Sequence, residues 1–137
     1  MLSNHFYFAQ QDKECKRILS KELNYPGNVD YNDLLKEANT VGRPLLLYFT
    51  CYNCVNAKKM EHRVLKKQSV QESLLKEFHF ISLYVDDREV LPENERTQSK
   101  IDEKRIEFVG DKHLDLQETL VGKNSQPYFV IDRKSVV

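Results

Sequence analysis

The chain lacks any net charge: 21 lysine and arginine residues balance 21 aspartates and glutamates. A balanced surface raises no global field that would gather nucleic acid or an anionic membrane. Apolar runs near the ~20 residues needed for a membrane-spanning helix are also missing, so direct membrane insertion is not expected. Cysteine is scarce, with only Cys15, Cys51 and Cys54 among 137 residues. An odd, low count excludes a disulfide scaffold and leaves at least one thiol free or paired with another molecule. A zinc site needs about four ligands. Cys51 and Cys54 with His62 or Cys15 assemble one only on paper, because no second closely spaced Cys/His pair exists. The histidines His5, His62, His79 and His113 are scattered and read as surface or internally satisfied residues. No internal repeat and no low-complexity tract occurs, and no metal or organic cofactor is implied.

The length fits one domain with one core. The opening Met1–Gln10 has neither a basic n-region nor a long apolar stretch, and does not read as a signal peptide. Phe6–Ala9 has the length of a short edge strand, and residues 11–23 carry Ile18, Leu19 and Leu23 at weak helical spacing. Tyr25-Pro26-Gly27-Asn28 predicts a turn. Asp30 then caps a helix over Tyr31–Val41, with Leu34, Leu35 and Ala38 as its apolar stripe and Gly42 as its stop. Leu45–Phe49 is a continuous apolar run of strand length, the pattern of a central strand buried on both faces. A helix follows from Cys54 to about Lys67, with Ala57, Met60 and Val64 on one face. Ser69 with Glu72 forms a capping-box pattern for a helix over Val70–Phe78, and His79–Val85 is the next strand. Strand, helices and strand in this order predict a right-handed crossover between parallel strands. Residues 86–107 are dense in charge and read as a solvated insertion. Leu114–Val121 predicts a helix stopped by Gly122. Tyr128–Asp132 predicts a strand, and Ser135–Val137 the start of a hairpin partner. The expected organisation is an N-terminal extension, residues 1–29, packing on a domain that spans residues 30–137.

The chemistry-bearing stretch is Phe49–Glu61. A cysteine at a helix N-terminus faces unpaired N–H groups and the positive end of the helix dipole. Both favour thiolate over thiol, and the thiolate is the nucleophile of disulfide exchange. Cys54 is therefore the candidate nucleophile, against the plainer reading of an inert, half-buried thiol. Cys51 and Cys54 form a Cys-x-x-Cys pair that straddles the turn. A turn can bring such residues within the ~7 Å Cα separation a disulfide requires, unless the strand end points the two Cβ vectors apart. Cys15 has no partner pattern and reads as a packed or surface thiol. Gln126-Pro127, just before a strand, is either a cis site or an ordinary trans turn. Tyr52 and Tyr128 either flank the thiol as a contact surface for a partner or serve as packing aromatics.

Strand, cysteine turn, long helix, strand, helix and X-Pro before a strand is the thioredoxin layout. Phe49-Thr50, Cys54-Val55-Asn56, Lys59-Met60-Glu61, Ile81–Asp87 and Asn124–Tyr128 resemble the C-terminal thioredoxin-like domain of DsbD-type thiol:disulfide interchange proteins, over roughly residues 30–132. The resemblance implies an α/β thioredoxin-like fold, a central mixed sheet with helices on both faces. It implies that Cys54 takes the attacking position and that Pro127 is the cis-proline facing it. The backbone of Gln126 would pair with an extended substrate. It further implies protein thiols or disulfides and a membrane electron-relay protein as partners, in an extracytoplasmic, periplasmic setting. Two departures stand out. The family's resolving cysteine falls at Ala57, and its buried acid falls at Tyr48. The chain also ends where the family has a last strand and a closing helix, so the C-terminal edge is expected to be short. The expected function is that of a thiol–disulfide oxidoreductase-like domain in which Cys54 forms mixed disulfides. The other reading is a redox-inactive binding or accessory domain that keeps the thioredoxin groove.

Overall fold

All six residues of Leu45–Thr50 are buried. The structure, a computed structural model, describes residues 24–132. Its elements are α1 (Tyr31–Val41), β1 (Leu45–Thr50), α2 (Val55–Met60, continued by a π-helical turn at Glu61–Leu65), α3 (Gln68–Glu77), β2 (His79–Tyr84), a 3-10 turn at Glu93–Glu95, β3 (Thr97–Gln98), β4 (Arg105–Ile106), α4 (Val109–Val121) and β5 (Tyr128–Asp132). β1 lies in the middle of a three-stranded sheet of order β2-β1-β5. β2 runs parallel to it, from Leu45 opposite His79 to Thr50 opposite Tyr84. β5 runs antiparallel, from Leu45 opposite Asp132 to Phe49 opposite Tyr128. This is the thioredoxin-like mixed sheet. The readings at Phe6–Ala9, residues 11–23, Cys15 and Ser135–Val137 fall outside the described residues.

A strand with no polar alternation needs cover on both faces, and β1 has it. Leu46 and Tyr48 pack with Leu65 and Phe80, under Met60, Val70, Leu74 and Leu75 from the α2 and α3 side. Leu45, Leu47 and Phe49 pack on the opposite face with Leu34 and Ala38 of α1, Ile81 and Leu83 of β2, and Leu116 and Leu120 of α4. Burying each such leucine stabilises by about 1.5–3 kcal/mol, so the sheet is held chiefly through this one strand. Before α1, the chain joins the outer edge of β2. Ser82 N–H donates to the Asn24 carbonyl at 3.2 Å, and the Asn24 amide donates back to the Phe80 carbonyl.

Helix α1 spans Tyr31–Val41 and stops at Gly42, whose φ of 71° is the left-handed conformation that glycine adopts without strain. Asp30 is its N-cap by position, but its side chain makes no cap hydrogen bond. Helix α3 corrects the expected start at Val70. It begins at Gln68 with Lys67 as N-cap, and no side chain caps it, so the Ser69–Glu72 box does not form. Helix α4 corrects the expected start at Leu114. It begins at Val109, because the Asp111 carboxylate reaches back to accept the N–H groups of Phe108 and Glu107 at 3.1 and 3.2 Å.

Residues 86–107 are not simply a solvated insertion. Leu91, Ile106 and Val109 form a small core of their own. Leu91 N–H donates to the Glu107 carbonyl at 2.9 Å, and Val90 bridges to Phe108. The segment is also tied back to the domain. Glu95 accepts from the Asn28 amide at 3.0 Å and pairs with Lys112 at 3.3 Å.

Gly110 sits in the first turn of α4 with its N–H donating to the Asp87 carbonyl at 2.9 Å. A Cβ there would lie 2.5 Å from the Val85 carbonyl oxygen and 2.7 Å from Asp87 N. Both are backbone atoms that cannot step aside. Gly110→Ala is therefore expected to lower the free energy of urea unfolding by about 1–3 kcal/mol. A change of only a few tenths would show that α4 does not press on this segment.

His113 is the internally satisfied kind of histidine. It is 1 % exposed and donates from Nε2 to the Gly27 carbonyl at 3.1 Å. Burial pushes its pKa down to about 4, with the Gly27 bond and Asp87 acting in the other direction and Lys112 adding to the fall. The unfolded ring protonates near 6.5, so between about 6.5 and about 4 the unfolded chain binds the extra proton. Stability is complete above that window and falls as the pH drops through it. Between pH 7 and pH 4.5 the wild-type unfolding free energy is expected to fall by about 2–3 kcal/mol more than that of His113→Gln. Equal falls in both would clear the ring of this role.

Candidate functional site

β1 ends where the Thr50 carbonyl accepts the Val85 N–H at 2.9 Å. The chain then turns through Cys51-Tyr52-Asn53. Cys54 is the N-cap of α2, in extended conformation, with Lys58 N–H donating to its carbonyl at 3.1 Å. Cys51 and Cys54 lie within disulfide reach of each other, with a Cα separation of 5.3 Å, inside the range such bonds need. Of the two geometries open to a pair at a strand end, the turn adopts the one in which the sulfurs face each other. The members are unequal. Cys51 is buried at 6 % exposure, whereas Cys54 is half-buried. Tyr52 and Val55, on either side of Cys54, are exposed.

Two residues at the end of β2 hold this turn, and the sequence reading assigned neither a role. The Asp86 carboxylate accepts the Tyr52 N–H at 2.9 Å on one oxygen and the Asn53 N–H at 3.2 Å on the other. The Tyr52 ring stacks on Tyr84, with centroids 4.0 Å apart and planes 12° from parallel. The available signal was positional. Asp86 follows a parallel strand, and the carboxyl ends of parallel strands are where α/β sheets gather their sites.

The second loop meets the same end of the sheet. The β1–β5 register ends at Phe49 opposite Tyr128, so the Gln126–Pro127 segment enters β5 at the end where β1 leads into the cysteine turn. The Gln126–Pro127 peptide bond is cis. The Gln126 side chain is tied inward, donating to Gln117 Oε1 at 2.9 Å and to the Asn124 carbonyl at 3.0 Å. Gln117 is fully buried and donates in turn to the Ser125 carbonyl at 2.9 Å. Gln117 thus fixes the loop, although a glutamine within a helix gives no sequence signal for such a role. The structure brings Cys51, Cys54 and Tyr52 together in one turn, with Gln126 and Pro127 on the adjoining loop. Tyr128 packs half-buried against the core of Leu34, Leu47 and Phe49.

Beneath the turn the surroundings are apolar. Ala57, in the first turn of α2, is fully buried. Tyr48 is fully buried and stacks on Phe129 with centroids 4.6 Å apart. Its hydroxyl and that of Thr50 are neighbours and both buried, and among the described residues neither has a hydrogen-bond partner in good geometry. Burial pushes the Tyr48 hydroxyl up to about 12, the neighbouring Thr50 offsets part of this, and the Glu61 charge adds to it. Tyr48 is therefore neutral near pH 7 and brings no charge to the cysteines. The Glu61 carboxyl is itself raised, chiefly by burial.

Among the described residues, no three His, Cys, Asp or Glu side chains gather as a metal ion would require, and no helix is long and apolar enough to cross a membrane. A comparison with curated protein sequences gives no match. Among solved structures, the fold is similar to one described as "DsbH Oxidoreductase", with a TM-score of 0.55 and 14 % identity, over 83 % of this chain and 69 % of that one. A family model described as thioredoxin-like matches residues 26–109. That span runs from the turn before α1 to the start of α4 and includes the Cys51–Cys54 turn and Asp86. With more than half of its length matched and the mixed sheet in place, this chain belongs to the thioredoxin-like family.

Proposed function

We propose that the chain carries out thiol–disulfide exchange with protein thiols or disulfides, with Cys54 as the nucleophile and Cys51 as the thiol that resolves its adduct. The observation that carries this reading is the facing pair itself: a half-buried Cys54 at the start of α2, within disulfide reach of a buried Cys51. In the reducing direction, the Cys54 thiolate attacks one sulfur of a substrate disulfide and expels the other as a thiolate. The Cys51 thiolate then attacks Cys54 Sγ and expels the second substrate thiol. Two electrons pass to the substrate, and the Cys51–Cys54 disulfide remains. The opposite direction oxidises a substrate dithiol by the same steps. The second attack is intramolecular and gains from high effective concentration.

This assignment accounts for Ala57. A resolving thiol one turn into α2 is dispensable when another stands on the strand side of the turn. Nor does Tyr48 need to be an acid, since α2 carries no thiol at position 57 for it to deprotonate. The Gln126–Pro127 loop, with the Gln126 side chain tied away, leaves backbone for an extended substrate to pair with. In an extracytoplasmic setting, a membrane electron-relay protein has the chemistry to reduce the pair again.

The test uses a peptide disulfide as substrate and mass spectrometry to follow adducts. Cys54→Ala should form none. Cys51→Ala should hold an adduct at Cys54 at least tenfold longer than the wild type does. Adding Ala57→Cys to the Cys51→Ala background should shorten that lifetime again. If Cys54→Ala reacts as the wild type does, or the wild type is inert, the reading falls and a redox-inactive binding groove replaces it.

The reduced protein provides a second check. Cys54 lies at the N-terminus of α2 with no charge from Tyr48 opposing its ionisation. In a Cys51→Ala background, the rate of iodoacetamide alkylation is expected to rise through an inflection below the free-thiol value of about 8.5. An inflection at or above that value removes the reason to name Cys54 as the attacking thiol.

A further inference from the structure

We infer that Asp86 is the positioning residue of the Cys51–Cys54 pair, and that by clamping the two residues between the cysteines it biases the pair toward the disulfide. The inference rests on the thiol–disulfide reading above. Its first ground is how completely the turn is occupied. Both N–H groups of the intervening dipeptide go to the two oxygens of this one carboxylate, at 2.9 and 3.2 Å. Bonds from backbone N–H to a carboxylate are roughly twice as strong as neutral ones. These donors are the ones a thiolate at the start of the turn would otherwise recruit for its own stabilisation. A Cys51 thiolate therefore finds them taken and finds a negative charge held across the same loop.

The second ground is that the carboxylate is fixed. Asp86 lies between two residues whose backbones are held from different sides. Val85 N–H donates to the Thr50 carbonyl at 2.9 Å, and the Asp87 carbonyl accepts from Gly110 at 2.9 Å. The Asp87 side chain accepts the Tyr25 hydroxyl and the Glu89 N–H. The missing side chain at Gly110 is what lets α4 sit this close. Asp86 cannot follow a turn that opens, so an opened turn loses both bonds. The third ground is the stacking of Tyr52 on Tyr84. It holds the same dipeptide from the same end of β2.

Both effects have one sign. The clamp keeps Tyr52 and Asn53 in the shape the disulfide needs, and the charge disfavours the Cys51 thiolate of the reduced form. The relevant exchange converts the Cys51–Cys54 disulfide and two glutathione thiols into two cysteine thiols and glutathione disulfide, with two electrons and two protons passing from glutathione to the pair.

The equilibrium constant of that exchange is measured by mass spectrometry in glutathione buffers on the full chain. Asp86→Asn is nearly isosteric, removes the charge and keeps a single acceptor oxygen. It should raise the constant for reduction about tenfold, equal to about 30 mV upward in the midpoint potential of this two-electron couple. Asp86→Ala should raise it at least as far. Glu89→Gln, which removes a neighbouring exposed charge without touching the turn, should stay within twofold of the wild type. Thermal melts of the oxidised proteins are recorded beside these. A less stable Asp86→Asn with an unmoved constant, or an equal shift in Glu89→Gln, overturns the inference while leaving the exchange chemistry standing. A wild-type pair that does not equilibrate with glutathione overturns both.

Discussion

Everything in this molecule is referred to one strand that is covered on both faces. β1 has no solvent side, so its register cannot slip: a shift by one residue would exchange the set facing α2 and α3 for the set facing α1 and α4. Leu46 and Tyr48 meet one cluster, and Leu45, Leu47 and Phe49 meet the other. The strand is thereby fixed along its axis, and so is the point at which the chain leaves the sheet after Thr50. The cysteine turn inherits its position from that point. Both neighbours of β1 contribute to the same end, β2 through the residues that follow Tyr84 and β5 through the loop that precedes Tyr128.

The site is therefore a convergence of three segments, each positioned by residues that do no chemistry. Gly110 lets the first turn of α4 approach Val85 and Asp87. Gln117, one helical stretch further along α4, holds the Ser125–Gln126 backbone and side chain. One helix thus braces both the segment after β2 and the loop before β5. Rigidity of this kind matters for a thiol pair, because attack on a sulfur demands alignment, and a loop that wanders loses the advantage of an intramolecular partner.

The buried layer under α2 belongs to the same arrangement. Ala57 is buried, and the buried ring of Tyr48 stacks with buried Phe80 and with the exposed ring of Phe129. A layer of this composition suits a helix that carries no buried thiol to ionise. On the other side of the turn, the Asp86 carboxylate accepts both N–H groups of the dipeptide between the cysteines.

Signals written locally in the chain were legible from it. The unbroken apolar run predicts β1; Asp30 and Gly42 bound α1 to the residue; and the order of elements, with a cysteine at a helix start, points to the fold. Other features depended on residues far apart. Leu91 and Ile106 are lone apolar residues in a charged stretch, and only their meeting with Val109 makes them a core. Gly110 reads as a helix breaker until Val85 and Asp87 are set against it. Whether Cys51 faces Cys54 is a matter of the turn's shape, and that shape is held by Asp86, 34 residues beyond Tyr52. By itself the sequence determined the main helices and strands, their order and the cysteine at the head of α2, because propensity, capping and periodicity act between near neighbours. The pairing of the cysteines and the clamp upon them were decided only by the tertiary structure, since a hydrogen bond between a turn and the end of another strand exists only once the sheet has brought them together.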